Sequence, residues 1–310
     1  MFDSTVTDLP PTSSDDYTPD PDPVASMLAV LDLSQSGART SEDIFTGVSQ
    51  KMPLGRVYGG QVLAQSIVAA ERTIPAGRSV HSMHGYFLRP GDASKGITFS
   101  VDRIHDGRSF STRRTQAFQE GVPIFSMIAS FQDEDPGIEH QADMPTGVPA
   151  PEDLPDLEDH LAGLHPVSKR LFTDRPLDLR HVPSPIYLSV QGERVPRQAV
   201  WMRTRRPISD DAGTHRAALA YLSDMTIQES ILRAHGVAWA TPGLKVASLD
   251  HAMWWHRPGR VDDWMLYVQE SPSARGGRGL ATGRIYSRDG MLVASVAQEI
   301  MVRVPEPPAA

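Results

Sequence analysis

The chain has 310 residues, of which 40% are hydrophobic and 22% charged, so it has enough apolar material for a folded core and too much for wholesale disorder. It contains no cysteine, which excludes disulfides, thiolate nucleophiles and cysteine-ligated metal centres. No apolar run is long enough for a transmembrane helix, and neither a signal peptide nor a peroxisomal address is recognisable. We therefore expect a cytoplasmic protein with no membrane partner.

Most of the charge lies at the N-terminus. Residues 1–23 hold six aspartates and five prolines with no lysine or arginine, and they supply most of the formal net charge of −8. Such a segment buries too little apolar surface to offset its ordering entropy, so we predict a disordered acidic tail. The rest of the chain is nearly neutral and has no basic, aromatic-studded stripe, which argues against a nucleic-acid partner.

Residues 24–135 read as one folded unit. A helix is predicted after Gly59-Gly60, where a glycine pair permits a sharp entry and apolar residues recur at helical spacing. Turn residues then separate four segments with strand-like composition. These segments are residues 80–88, 97–104, 109–119 and 123–132.

Residues 136–195 are predicted to be a linker or surface excursion, because acidic residues and prolines are concentrated there. Residues 196–305 then repeat the order of the first unit. A helix is predicted over about 226–233, where Thr226 and Glu229 have the spacing of a capping box. The strand candidates that follow are residues 245–255, 264–270, 279–287 and 291–304.

The two units are related by an internal duplication. Residues 247–259 echo residues 79–91 at an offset of 168, and residues 291–297 echo residues 122–128 at an offset of 169. Each unit alone would leave a sheet edge and a helix face unburied, so we expect the two to pack side by side.

Six runs carry a resemblance to a known family. They are residues 56–61, 80–92, 106–114, 221–224, 250–258 and 293–299. These runs resemble the acyl-CoA thioesterase II family, and they extend over essentially everything except the tail. The resemblance implies an α+β fold of the double-hotdog type, in which two tandem hotdog repeats each wrap a long antiparallel sheet around a central helix.

The resemblance also implies an activity and a site. Family members hydrolyse fatty acyl-CoA to a free fatty acid and CoA in fatty-acid and lipid metabolism, with CoA as part of the substrate and no cofactor. Matched by motif, the catalytic residues are Asp224, Ser248 and Gln298, where Asp224 deprotonates a water that the other two orient. Taken singly, Asp224 would read as a helix cap, Ser248 as a strand filler and Gln298 as a solvent-facing residue.

Two further sets of contacts are expected. The N–H groups of Gly59 and Gly60, or those of the turn at 223–226, are candidates to hold the oxyanion, and Arg275 and Arg278 are candidates to hold CoA phosphates. A solvated turn explains the two arginines equally well. Gln61 heads the first helix roughly where Asp224 is expected to head the second, so we expect one active site per chain.

Two alternatives stay open. A hotdog enoyl-CoA hydratase would need an Asp–His pair, and no matching histidine motif follows Asp224. A catalytically silent acyl-CoA-binding regulator would be expected to have lost one of the three site residues.

No metal site is expected, because the histidines do not form a ligand cluster. Since hotdog sheets usually present edges or helices to a partner, we expect a homo-oligomer, either a dimer or a tetramer.

Overall fold

A computed structural model describes residues 20–35, 42–52, 55–161, 175–182 and 184–304. Residues 1–19 of the predicted tail lie outside this range. Its last residues begin the first helix, Pro23–Leu31 (α1), where the Asp22 carboxylate accepts a hydrogen bond from the Ala25 N–H at 2.9 Å. Helix α1 buries Val24 and Met27 in the main core.

Besides α1, the described part of the first half contains one long helix and six strands. The helix is Gly59–Glu71 (α2). The strands are Ser34–Gln35 (β1), Asp43–Gly47 (β2), Ser79–Phe87 (β3), Ile97–Asp106 (β4), Phe110–Gln119 (β5) and Val122–Gln132 (β6). The four strands predicted from the sequence are β3 to β6, with ends that differ by one or two residues. Buried side chains alternate with more exposed ones along β5 and β6, as expected for strands with one face toward the core.

The second half contains three described helices and seven described strands. The helices are Leu157–His160 (α3), Ala212–Ser223 (α4) and Glu229–Ala234 (α5). The strands are Leu177–Val182 (β7), Arg197–Thr204 (β8), Lys245–Ser248 (β9), Asp250–Trp255 (β10), Met265–Arg275 (β11), Arg278–Ser287 (β12) and Leu292–Arg303 (β13). Helix α3 and strand β7 fall within residues 136–195, so that segment includes regular structure as well as loop.

All described strands join one antiparallel sheet. Its order is β1-β2-β4-β5-β6-β3-β10-β13-β12-β11-β8-β7, and β9 pairs with β13 beside β10. The two halves meet where β3 pairs with β10. Helices α2 and α4 are buried and pack against each other in the main core.

The principal helix of the second half differs from the prediction. The structure has α4 at Ala212–Ser223 as the longer helix, and the predicted helix at 226–233 corresponds to the short α5, which begins three residues later than predicted. Asp211 caps α4 by accepting from the Thr214 N–H at 2.7 Å. Asp224 therefore follows the C-terminus of a helix and does not precede an N-terminus.

Helices α2 and α4 cross in opposite directions at close range. A side chain added at Gly60, near the start of α2, would place its Cβ 2.3 Å from the Tyr221 carbonyl oxygen near the end of α4. At the other end of the crossing, Gly213 of α4 faces the carboxylate of Glu71, the last residue of α2. Each helix thus brings its N-terminus to the C-terminus of the other.

The strand register confirms the duplication. In the β3–β10 pair, His84 lies opposite Ala252, which is 168 positions later in the chain. On either side of this pair Met83 lies opposite Met253 and Gly85 opposite His251, and a shift of 168 residues converts each of these pairs into the other. An internal two-fold axis therefore passes between His84 and Ala252. Among the described residues, no helix has the length and apolar character needed to cross a membrane.

Candidate active site

Asp224, Ser248 and Gln298 converge at the end of α4. Ser248 donates from Oγ to Asp224 Oδ1 at 3.0 Å, and Gln298 donates from Nε2 to the same oxygen at 2.9 Å. The Gln298 amide also lies 2.6 Å from Ser248 Oγ. The structure therefore brings together three residues that the motif comparison selected, although they are 24 to 74 positions apart in the chain.

A bulge in the second half aims Ser248 at this site. The chain advances four residues from Ser248 to Ala252, whereas their partners on β13, Ile300 and Ala297, are three residues apart. The extra residue allows Ser248 and His251, which an unbroken strand would point to opposite faces, to turn toward the same side. Both side chains consequently reach Gln298.

Burial makes Asp224 a stronger base than an ordinary aspartate. The residue is 5% exposed, and loss of solvent raises the pKa of its carboxyl from 3.8 to about 6. Hydrogen bonds from Gln298, Ser248 and the Gly60 N–H lower the pKa and offset part of that rise. At pH 7 the carboxylate is therefore largely ionised and yet a better proton acceptor than one in water.

The start of α2 forms the opposite wall. A Cβ at Gly59 would lie 2.7 Å from Asp224 Oδ2 and 3.1 Å from the Phe87 ring, so glycine is needed there to leave the carboxylate room. The first N–H groups of a helix have no partner within it, and the helix dipole makes that end electropositive. The first half of the chain thus supplies a positively polarised wall to a carboxylate from the second half.

His251 is a site residue that the sequence analysis did not select. It is fully buried, its Nδ1 is hydrogen-bonded to Gln298 Oε1, and its Nε2 lies 3.0 Å from Ser223 Oγ. Burial lowers the pKa of its ring from 6.5 to about 4, so the ring is neutral at pH 7. The motif at residues 250–258 contains this histidine, but only the bulge shows that it points at Gln298.

Asp224 and Ser248 line a cavity of about 760 Å³. Much of its wall is apolar, including Val62, Phe87, Leu88, Ile124, Phe125 and Met225. Its charged lining comprises the cations Lys51, Arg56, Arg89 and Arg175 and the carboxylates Asp20, Asp224 and Glu229. Among the described residues, no carboxylate lies within ion-pair distance of Lys51, Arg56 or Arg89.

Arg275 and Arg278 do not line this cavity. They flank the Gly276-Gly277 turn between β11 and β12, and Arg278 pairs with Glu299 at 3.0 Å on the exposed surface. The cations that share the cavity with Asp224 come instead from the first half and from Arg175. Their loops carry no phosphate-binding motif, so the sequence alone did not single them out.

At the other end of the helix crossing, apolar residues stand at the positions equivalent to Ser248 and Gln298. The internal two-fold relates Ser248 to Val80, His251 to Met83 and Gln298 to Ala129, all of them buried apolar residues. The bulge is retained there, because Val80 and Ser82 span two residues while their partners Phe131 and Ser130 span one. A cavity of about 720 Å³ lies on this side, beside Ala212 and Gly259.

The residue equivalent to Asp224 is Glu71 and not Gln61. Glu71 ends α2 and faces Gly213 at 3.1 Å, as Asp224 follows α4 and faces Gly59. Gln61 lies at the start of α2, where its amide donates to the Val48 carbonyl at 3.2 Å and to Gln65 at 3.0 Å. Within the described ranges, one end of the molecule holds a complete Asp–Ser–Gln set, and no cluster of histidines and carboxylates could hold a metal ion.

The fold and the site together define a class of protein: a double hotdog with a buried, hydrogen-bonded carboxylate beside a mixed apolar and cationic cavity. A conserved protein with a hotdog fold from Alicyclobacillus acidocaldarius has the same architecture, with a TM-score of 0.72 over 91% of this chain and 99% of its own at 18% identity. The predicted double hotdog is therefore confirmed.

Comparison with known sequences then gives the family. The family described as acyl-CoA thioesterase matches residues 168–301, and the acyl-CoA thioesterase N-terminal domain matches residues 48–132. The chain is 37% identical to acyl-CoA thioesterase 2 of Haemophilus influenzae, over 85% of this chain and 93% of the relative. It is 41% identical to acyl-CoA thioesterase II TesB2 of Mycobacterium marinum, whose crystal structure matches with a TM-score of 0.72 over 92% of this chain and 100% of that one.

This chain belongs to the acyl-CoA thioesterase II family, and its enzyme class is thioester hydrolase. The resemblance identified from its motifs is confirmed. These comparisons favour neither the hydratase nor the silent regulator.

Proposed function

We propose that the chain hydrolyses fatty acyl-CoA to CoA and a free fatty acid, with Asp224 as the general base and with Ser248 and Gln298 orienting the attacking water. The observation that carries this proposal is that Ser248 and Gln298 both donate to one oxygen of a buried carboxylate in the wall of a large cavity. Asp224 Oδ1 is thereby occupied, and Oδ2 is left to accept a proton from water.

The reaction balances without a cofactor. Water loses a proton to Asp224 as its oxygen forms a bond to the thioester carbon. The carbon–sulfur bond then breaks with its electron pair on sulfur, and the proton held by Asp224 passes to the CoA thiolate. Ser248 and Gln298 are neutral, so they can hold the water in line with the carbonyl carbon without changing the charge of the site.

The charge that develops on the carbonyl oxygen needs a donor. The Gly59 N–H lies at the electropositive start of α2, while the Gly60 N–H is directed at Asp224. We assign the oxyanion contact to Gly59, and the role of Gly60 is to hold the base.

The cavity lining supports the substrate class. An acyl chain would lie against the apolar wall formed by residues such as Phe87, Ile124 and Met225. The CoA phosphates would reach Lys51, Arg56 and Arg89, which are exposed on the solvent side. In this placement the thioester lies between the two regions, beside Asp224.

The test is release of thiol from saturated acyl-CoAs of short, medium and long chain by wild type and by Asp224→Asn. The absence of cysteine gives a thiol-trapping assay no background from the protein. Removal of a general base is expected to lower kcat by about 10²–10⁴-fold while the fold and substrate binding persist. Turnover of the variant at the wild-type rate would refute the assignment of the base.

A homo-oligomeric state, a cytoplasmic compartment and a role in fatty-acid metabolism stay predictions from the sequence. The chain-length profile of the same assay would show which acyl chains the cavity accepts.

A further inference from the structure

His251 joins the two sides of the active site. Its hydrogen bonds run to Gln298 on β13 and to Ser223 on α4. Because Ser223 precedes Asp224, the contacts form a closed ring that passes from Ser223 through His251 and Gln298 to Asp224. The ring is buried, since Ser223, His251 and Gln298 are each 0% exposed.

The ring decides which way the Gln298 amide points. The two ends of a glutamine amide have nearly the same shape, and only their hydrogen-bond partners distinguish donor from acceptor. An ionised Asp224 can only accept, so Gln298 must present Nε2 to it and Oε1 to His251. The neutral His251 ring must then carry its hydrogen on Nδ1 in order to donate to Oε1.

We propose that His251 is a positioning residue that locks the Gln298 amide with its donor end toward Asp224 and Ser248. This inference rests on the proposed function, because it concerns how Gln298 orients the water. Without His251 the amide keeps only the contacts of Nε2 with Asp224 and Ser248, and no donor holds Oε1. A flipped amide would set Oε1 against the Asp224 carboxylate. The attacking water would lose its orientation although the base remained in place.

The other half of the molecule provides an internal comparison. At the equivalent positions Gln298 is replaced by Ala129 and His251 by Met83, both of them buried. The histidine is therefore present where there is an amide to orient. The comparison also shows that the sheet accommodates methionine at this position, which makes His251→Met a conservative choice for packing.

The experiment measures kcat and KM for His251→Met and His251→Asn. Methionine removes the N–H donor, and a misplaced reacting group can cost about 10²-fold, so we expect kcat to fall by about that factor with KM within twofold of wild type. Asparagine keeps an N–H near the place of Nδ1–H, so His251→Asn should recover most of the rate. A role confined to folding would give no such rescue by the smaller, polar side chain.

A double-mutant cycle with Gln298→Ala separates this inference from the proposed function. If His251 acts through Gln298, then His251→Met should have little further effect on kcat once Gln298 is alanine. If Gln298→Ala alone retains wild-type kcat, the proposed function fails. If Gln298→Ala loses activity but His251→Met does not, or if the two losses multiply, the positioning role fails.

Ser223→Ala is a second variant in case the histidine variants do not fold. It removes the 3.0 Å contact to His251 Nε2 and leaves the His251–Gln298 bond in place. A fall in kcat of a few fold at constant KM is expected. An unchanged kcat in folded Ser223→Ala would overturn the proposal.

Discussion

The carboxyl group of Asp224 has a pKa of about 6 in the folded chain and an ordinary value of 3.8. The native state therefore binds more protons than the unfolded state between about pH 4 and 6. In this window the free energy of unfolding falls as the pH rises, and the stability that the protonated group contributes is lost on passing pH 6. Asp224 is thus ionised at neutral pH at a cost to the stability of the fold.

Replacing Asp224 by asparagine should stabilise the protein at neutral pH. A shift of about two pKa units corresponds to roughly 3 kcal/mol, which is the upper limit of the expected gain at pH 7.5. The measurement is chemical unfolding of wild type and Asp224→Asn at pH 7.5 and at pH 4, where the two should nearly coincide. A gain that is the same at both pH values would mean that ionisation of Asp224 is not its source.

The proposed contacts of Arg56 and Arg89 with the CoA phosphates can be tested separately. Arg56→Ala and Arg89→Ala should each raise KM for acyl-CoA about three- to tenfold and leave kcat nearly unchanged, because each removes an exposed phosphate contact. The matched controls are Arg275→Ala and Arg278→Ala, which remove the same charge at a surface turn outside the cavity. If the control variants raised KM and the cavity variants did not, the assignment of the CoA phosphates to Arg56 and Arg89 would be wrong.

At the scale of the elements, the crossing of α2 and α4 brings Gly59 at the start of α2 next to Asp224 at the end of α4. The crossing depends on Gly60, where a methyl group would meet the backbone carbonyl of Tyr221 at 2.3 Å. Gly213 has the corresponding place at the other end, but its nearest neighbour is the end of the flexible Glu71 side chain at 3.1 Å. The same substitution therefore meets a rigid obstacle at one end and a movable one at the other.

We expect Gly60→Ala to lower the free energy of unfolding by about 1–3 kcal/mol and to reduce activity as well, since the helices must move apart at Asp224. Gly213→Ala should be neutral or slightly stabilising, because alanine favours a helix interior more than glycine does. Thermal unfolding and thiol release on the two variants measure both effects. Equal losses in both variants would show that the close approach at Gly60 is not what limits the crossing.

The elements also show what could be predicted from the sequence. The strands of the first half were recognisable from their composition and from the turn residues that separate them, such as Asp106-Gly107 and Glu120-Gly121. Helix α4 was missed because residues 217–223 are buried on every side, which removes the helical periodicity of apolar residues. The Thr226–Glu229 spacing favoured the short α5 as the principal helix of the second half. Glu229 does not act as a capping residue there, because its carboxylate is buried and accepts from Trp239 and Gln198.

The site could be predicted only in part, because its residues meet through contacts between distant parts of the chain. Asp224, Ser248 and Gln298 were identified by resemblance, because nothing local to each residue reports contacts across 50 or 74 positions. The role of His251 depends on the bulge before it, and a single extra residue in a strand leaves no recognisable pattern in the sequence.

At the scale of the whole molecule, the internal two-fold predicts a single working end. Glu71 is the positional equivalent of Asp224, but Val80 and Ala129 replace the hydroxyl and amide beside it. Glu71→Gln should therefore retain wild-type kcat, whereas Asp224→Asn should lose nearly all turnover of the chain. Initial rates of the two variants at equal protein concentration decide the question, and a substantial loss in Glu71→Gln would indicate a second functional centre.

The meeting of α2 and α4 also bears on how this chain could have changed over time. The second half holds Asp224, Ser248 and Gln298, and the first half supplies Gly59 and Phe87 beside them. Two copies of the second half, paired by the same two-fold, would bring Ala212 to the place of Gly59 and Asp211 to the place of Tyr58, so an acidic group would lie near Asp224, as Asp211 lies near Glu71. Once the halves had diverged in this way, each depended on the other for a complete site.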